Sequence, residues 1–127
     1  MPNVNAKSLK NWIFFFAALL FSSHVLARDA TSPDVIAVSQ LPLEAQQTLV
    51  LIRQGGPFPS SKDGTAFGNY DKALPRQARG YYHEYTVKTP GARNRGARRI
   101  IVGGQPISSR DRYYTDNHYA TFKRIKE

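Results

Sequence analysis

Four short runs of β-forming residues, each closed by turn residues, fill the chain from Tyr81 to its C-terminus. Nothing else in the sequence limits the fold as strongly. Tyr81–Val87 stops before Pro90-Gly91, and Arg98–Val102 stops at Gly103-Gly104. Arg112–Thr115 and Tyr119–Ile125 flank Asp116-Asn117, a hairpin-like turn. Aromatic and β-branched residues suit a pleated surface, while Gly, Pro, Asn and Asp end it. Upstream, one helix is well signalled. Pro42 sits at a first-turn position, Glu44 lies near the positive end, and Gly55-Gly56 marks the stop. Between them Leu41, Ala45, Leu49 and Ile52 form an apolar stripe that Val50 and Leu51 widen. An early helix followed by consecutive short strands predicts an α+β fold, with one main N-terminal helix packed on a twisted antiparallel β-sheet.

The strands and the helix occupy only part of the 127 residues. The start of the chain reads as an address. Lys7 and Lys10 precede the apolar run Trp12–Phe21, and Val25-Leu26-Ala27 supplies small residues at a cleavage site. This is the order of a secretory signal peptide, residues 1–27, and it predicts export to the periplasm or the medium. The run is half the roughly 20 residues a spanning helix needs, which argues against a stable membrane anchor. An uncleaved signal anchor is the competing reading. Cleavage near Ala27 leaves residues 28–127 as one domain, with Arg28–Pro33 as a loose leader.

Charge narrows the function. The whole chain has 18 Lys and Arg against 9 Asp and Glu, a formal net charge of +9. Lys7 and Lys10 leave with the signal, so the exported domain keeps 16 against 9, or +7. A basic domain in which 12% of all residues are aromatic suits an anionic partner, nucleic acid before an acidic membrane surface. The absence of cysteine excludes disulfides, thiolate metal sites, iron–sulfur clusters and a cysteine nucleophile. No HExxH, P-loop or GxSxG is present, and no metal or cofactor is expected.

The densest feature is Arg93-Asn-Arg95-Gly-Ala-Arg98-Arg99. Guanidinium forks match phosphate oxygens. A bare arginine run also reads as a solvated basic face. In an extended strand Tyr82, Glu84 and Thr86 share one face, while His83, Tyr85 and Val87 share the other. A short turn joins the Glu84 strand to the arginine strand, so pairing brings the carboxylate near the arginines. His83 then reads as structural. His118, after the Asp116-Asn117 turn, is the free imidazole. One carboxylate, one imidazole and several arginines suit metal-free cleavage of RNA. RNA carries its own nucleophile, the 2′-hydroxyl; a base removes its proton, an acid protonates the departing 5′-oxygen, and arginines hold the charge gained on phosphorus. DNA lacks that hydroxyl and is not expected to be a substrate.

The segments Gly80–Val87, Thr89–Arg93, Arg95-Gly96, Arg98–Ile101, Tyr113–Thr115 and His118–Phe122 resemble the secreted bacterial guanyl-preferring ribonucleases, the barnase relatives. The likeness is closest to the small streptomycete-type members. Leu41-Pro42, Glu44-Ala45, Gly56–Pro59, Asp63-Gly64, Phe67, Asn69 and Leu74-Pro75 match upstream, so nearly the whole exported chain is covered. The resemblance implies the microbial ribonuclease fold and cleavage of single-stranded RNA on the 3′ side of guanosine through a 2′,3′-cyclic phosphate. It implies Glu84 as general base, His118 as general acid, and Arg95, Arg99 and Tyr119 as phosphate-binding groups. It makes Phe67, Gly68, Asn69, Tyr70 and Asp71 the guanine-binding loop. It also suggests a barstar-like acidic inhibitor as a partner, with the enzyme itself expected to be a monomer.

Three positions depart from the pattern. Asp71 stands where the guanine-reading Glu is usual, one methylene shorter. Tyr70 replaces an Arg, and Gly68 replaces a Ser or Gln. The streptomycete-type members usually carry one disulfide, and this chain has none. Against the enzyme stands a second class of function, a cationic nucleic-acid- or membrane-binding protein without catalysis. Such a protein has no need of a Glu–His pair beside the arginines.

Overall fold

The computed structural model describes residues 33–127. The signal peptide expected over residues 1–27, its expected cleavage point and the expected leader as far as Ser32 lie outside the described residues. The elements are β1 (Asp34–Ala37), α1 (Leu43–Gln54), β2 (Thr65–Ala66), β3 (Tyr82–Thr86), β4 (Arg99–Gly103), β5 (Arg112–Thr115) and β6 (Lys123–Lys126), with one 3₁₀ turn at Val38–Gln40.

Helix α1 starts where proline permits and ends where glycine does. The Pro42 carbonyl accepts from the amides of Ala45 (3.0 Å) and Gln46 (3.1 Å), which closes the first turn. At the other end Gly55, at φ 78°, takes the left-handed conformation that ends so many helices, and the Gly56 amide donates to the Leu51 carbonyl at 3.0 Å. The buried stripe is Ala45, Thr48, Leu49 and Ile52. Thr48 joins it because its hydroxyl is satisfied on the Glu44 carbonyl (2.9 Å). Val50 does not belong to it and is 54% exposed.

The six strands form one sheet in the order β1-β6-β5-β4-β3-β2. Every neighbouring pair is antiparallel except β1 and β6, which run parallel. The sheet is therefore mixed, and Asp34–Ala37, to which the sequence reading assigned no element, is an edge strand. Four residues are too few to show an alternation in sequence. Only Ile36 packs on the core, opposite Ile125, while Val35 is 57% exposed. The last strand is also shorter than its β-forming composition suggests. It begins at Lys123, because His118 and Tyr119 have φ of 55° and 72° and turn the chain out of extended geometry.

Both faces of the sheet bury side chains. Against the helix, Leu41, Ala45, Leu49 and Ile52 meet Tyr85, Val87, Ile100, Val102, Tyr114 and Ile125. On the opposite face Leu74 packs with Tyr82, Ile101, Tyr113 and Phe122. The segment between β2 and β3 carries Leu74 and covers that part of the sheet. The open face is thus not charged throughout. Its polar part is the stretch where Glu84, Thr86 and Arg99 stand together on β3 and β4, with Thr86 directly opposite Arg99. Every residue of β4 is buried, which makes it the central strand in burial as well as in pairing.

Removing buried methylenes leaves a cavity as well as losing transfer energy. Ile52→Ala is expected to destabilise the domain by about 2–5 kcal/mol. Val50→Ala, on the exposed side of the same helix, is expected to stay within about 0.5 kcal/mol. Urea unfolding midpoints of the two variants check this assignment of faces.

Candidate active site

The arginine cluster divides by strand alternation and loop geometry. Arg93 is exposed. Arg98 turns toward the helix and pairs with Glu44 (Nη1 to Oε1, 3.3 Å). Arg95 and Arg99 turn the other way, toward Glu84 and Tyr119.

Glu84 projects from the middle of β3, and its carboxylate side chain is only 14% exposed. Arg95 Nη2 donates to its Oε1 at 3.1 Å, and the Tyr119 hydroxyl donates to its Oε2 at 2.9 Å. Thr86, two residues along the same face, steadies Arg95 by accepting from Nε (3.1 Å) and Nη2 (2.8 Å). Arg99 is 2% exposed. Its Nη1 donates to the carbonyls of Arg98 (2.7 Å), Gly96 (3.0 Å) and Arg95 (3.5 Å), and its Nε donates to the Tyr119 hydroxyl at 3.2 Å. The Tyr119 oxygen therefore accepts from a cation and donates to a carboxylate. Burial raises the Tyr119 phenol above its ordinary value; the hydrogen bond to Glu84 adds to this, and Arg99 partly offsets it.

His118 and Tyr119 are held in a tight left-handed turn. Left-handed backbone costs a non-glycine residue roughly 1–2 kcal/mol. The turn is fixed by its neighbours. The His118 amide donates to the Ala97 carbonyl (2.9 Å), which ties this turn to the arginine loop. The Tyr119 amide donates to Thr115 Oγ1 (3.3 Å), and Asn117 Oδ1 accepts from Thr115 Oγ1 (2.9 Å) and the Thr121 amide (3.0 Å). His118 is exposed, and its ring lies 4.7 Å from that of Tyr119. Glu84 and His118 thus meet the same tyrosine.

Beside Glu84 opens a cleft of about 320 Å³. One wall is Glu84, Tyr119 and Phe122, and the other is the segment from Ala66 to Asp71. Phe67 stacks on Tyr119 (centroids 5.1 Å, 30° between planes) and meets Phe122 edge-on at 5.9 Å. Asn69, at φ 52°, spends its side chain on the loop itself: Nδ2 donates to the Leu74 carbonyl (3.0 Å) and Oδ1 accepts from the Leu74 amide (3.1 Å). Its carbonyl is taken by the Lys72 amide (3.0 Å), so its main-chain amide is what it has left to offer a ligand. Asp71 and Tyr70 also line the cleft, and Tyr70 is 88% exposed.

Of the residues singled out from the sequence, Glu84, Tyr119 and Phe67–Asp71 line this cleft, and Arg95, Arg99 and His118 adjoin it through Glu84 and Tyr119, whereas Arg93, Arg98 and His83 lie elsewhere. Sequence reasoning assigned no role in the site to Thr86, Thr115, Asn117 and Phe122. Thr86 was legible from its period-two spacing with Glu84. The others hold or border the turn that replaced an expected strand. His83 is half-buried on the opposite face from Glu84, and its Nδ1 has no hydrogen-bond partner among the described residues. Among the described residues, no group of three His, Asp or Glu side chains is placed to hold a metal ion.

A ribonuclease family model matches residues 26–126. The chain is 54% identical over 92 residues to guanyl-specific ribonuclease Sa of Kitasatospora aureofaciens, covering 72% of this chain and 93% of that protein. It is 45% identical over 95 residues to guanyl-specific ribonuclease St of Saccharopolyspora erythraea, covering 75% and 90%. The structure of ribonuclease Sa2 in complexes with mononucleotides superposes with a TM-score of 0.71 at 42% identity, covering 76% of this chain and 96% of that one. Ribonuclease Sa2 with guanosine-2′-cyclophosphate superposes with a TM-score of 0.68, covering 75% and 97%.

The tyrosines around this cleft and the core beneath it give the fold an alkaline limit. Burial pushes Tyr82 up to about 12 from an ordinary 10.0, with Asp111 and Tyr81 contributing. A raised value means that the folded state holds the proton more tightly than the unfolded chain does. The stability it contributes is complete below about pH 10 and lost as the pH climbs through about 12. Phenolate absorbance followed alongside circular dichroism should show the buried tyrosines ionising together with alkaline unfolding, and not before it.

Proposed function

Because the chain belongs to the family of microbial guanyl-specific ribonucleases, we propose that it is an exported endoribonuclease that cleaves single-stranded RNA on the 3′ side of guanosine. The observation that carries this reading is the meeting of Glu84 and His118 on Tyr119 at the mouth of a cleft walled by Phe67 and Asp71.

Glu84 acts as the base. Each carboxylate oxygen has a second lone pair besides the one taken by Arg95 or Tyr119, so the carboxylate can still accept the 2′-hydroxyl proton. The 2′-oxygen attacks phosphorus, the bond from phosphorus to the 5′-oxygen breaks, and protonated His118 delivers a proton to that leaving oxygen. The product is a 2′,3′-cyclic phosphate. In the slower second step water takes the place of the leaving group, the two residues exchange roles, and a 3′-phosphate results. Arg95 and Arg99 oppose the charge that builds on the phosphoryl oxygens, Arg95 from a partly open position and Arg99 from beneath Tyr119. Guanine enters between Phe67, which stacks on it, and the main chain of Gly68–Tyr70, which reads its O6. Asp71 accepts from N1 and N2.

The same reading includes removal of residues 1–27 during export, a monomeric enzyme, and an acidic inhibitor of the barstar kind that protects the producing cell. The support is the signal-like order of the N-terminus and the +7 charge of the remaining chain. A strongly basic enzyme and an acidic inhibitor would associate fast, and more slowly as salt rises.

Glu84→Gln and His118→Gln are each expected to lower the cleavage rate of the dinucleotide GpU by about 10²–10⁴-fold. Wild-type turnover by either variant refutes the assignment. End mapping of a defined RNA digested in EDTA, with the equivalent DNA alongside, is expected to show cuts after guanosine and intact DNA. Salt-sensitive binding of both nucleic acids without cleavage would instead identify a cationic binding protein. Cuts after any purine would show that Asp71 does not replace the usual Glu.

A further inference from the structure

The guanine-binding loop has a second side. Across Ala66–Tyr70 from the cleft that holds Glu84 and Asp71 lies a larger cavity of about 550 Å³. Its far rim is Arg76–Gly80, and Lys72 and Tyr82 complete it. The ionisable side chains lining it other than tyrosine are Lys72, Arg76 and Arg79, all cations and all exposed. None of the three pairs with a carboxylate among the described residues. The main chain at Lys72 is held by its left-handed φ of 55° and by the bond from its amide to the Asn69 carbonyl (3.0 Å). Tyr70 lines both cavities, and its ring lies along Gly68, where any side chain would meet it.

We propose that this cavity is a subsite for the nucleotide on the 5′ side of the cleaved guanosine, with Lys72, Arg76 and Arg79 holding its phosphodiester and Tyr70 stacking on its base. The inference rests on the ribonuclease reading, because that reading fixes the direction of the strand. The 3′- and 5′-oxygens lie on opposite sides of the ribose, so with the 3′-phosphate directed toward Glu84 and His118 the 5′ chain runs from the sugar away from them, toward the rim at Tyr70 that the cleft shares with this cavity. There it meets unpaired guanidinium groups, whose forks fit a phosphate, and an exposed aromatic face, which stacks on any base. Neither contact reads base identity. The subsite therefore strengthens binding of long RNA without altering the preference at the cleavage position.

The test compares kcat/KM for GpU, for ApApGpU extended on the 5′ side, and for GpUpApA extended on the 3′ side. Wild-type protein and Lys72→Ala/Arg76→Ala/Arg79→Ala are compared, with Arg79→Ala alone as a milder variant whose fold is checked by circular dichroism. In the wild type the 5′ extension is expected to raise kcat/KM about tenfold, within the range of one stacked base. The triple variant should lose that gain and cleave GpU as before. Its kcat/KM on ApApGpU should depend less on salt, the slope falling by about 0.7 per phosphate contact removed. Binding of the uncleavable 2′-deoxyguanosine analogue of ApApGpU should weaken in the same variant. The proposal is overturned if the 5′ extension brings no gain, if only the 3′ extension does, or if the variant loses GpU and ApApGpU cleavage equally. Absence of GpU cleavage by the wild type would instead strike the ribonuclease reading, and the analogue's unchanged affinity in the variant would separately remove the subsite.

Discussion

The guanidinium of Arg99 is almost wholly withdrawn from water, yet no carboxylate pairs with it directly among the described residues. Burying a charge is costly unless its donors are met. Here Nη1 is met by main-chain carbonyls of the Arg95–Arg98 turn and Nε by the Tyr119 hydroxyl, while Nη2 has no hydrogen-bond partner among the described residues. The arrangement has two consequences. The loop carrying Arg95 is wound around a fixed cation, so Arg95 arrives beside Glu84 and Thr86 with little freedom left. The tyrosine is held between Arg99 and Glu84, and its backbone shares a turn with His118. One buried charge thus organises groups drawn from β3, β4 and two loops.

The rest of the fold supplies that charge with a rigid setting. The helix closes one face of the sheet with aliphatic side chains, and β4 runs through the middle, buried along its whole length. The second core on the other face is mostly aromatic, and one of its members and one of its neighbours reach Asp111. Tyr81 and Tyr113 donate to its two carboxylate oxygens, each at 2.7 Å. This places a satisfied polar anchor at the end of the sheet away from Glu84. At the edge of the aromatic cluster Phe67 packs on Tyr119 and Phe122 and forms part of the wall of the cleft beside Glu84.

Much of this was legible in the sequence because short-range rules governed it. Pro42 and Gly55 bound the helix almost to the residue, and the strands around Glu84 and Ile101 follow from β-forming composition and alternation. The pairing of Glu84 with the arginines needed only a short connection. What escaped was set by partners far along the chain. Asp34–Ala37 becomes a strand only because β6 lies beside it. Tyr119–Phe122 looks extended by composition, yet bonds from Ala97, Thr115 and Asn117 bend it into the turn that presents His118. Leu74 gives no sign in a polar loop that it caps a second core. Residue identities pointed to the chemistry, whereas the neutral side chains that hold it in place had no chemical signature of their own.

Gly68 has a consequence for Tyr70. A β-carbon there would run into the outer atoms of the Tyr70 ring, and that ring, being almost free in solvent, would swing aside with little harm to the fold. Position 68 therefore works as a steering pin for position 70. A single codon change at position 68 would redirect that aromatic plate while Glu84, His118 and the sheet stay as they were.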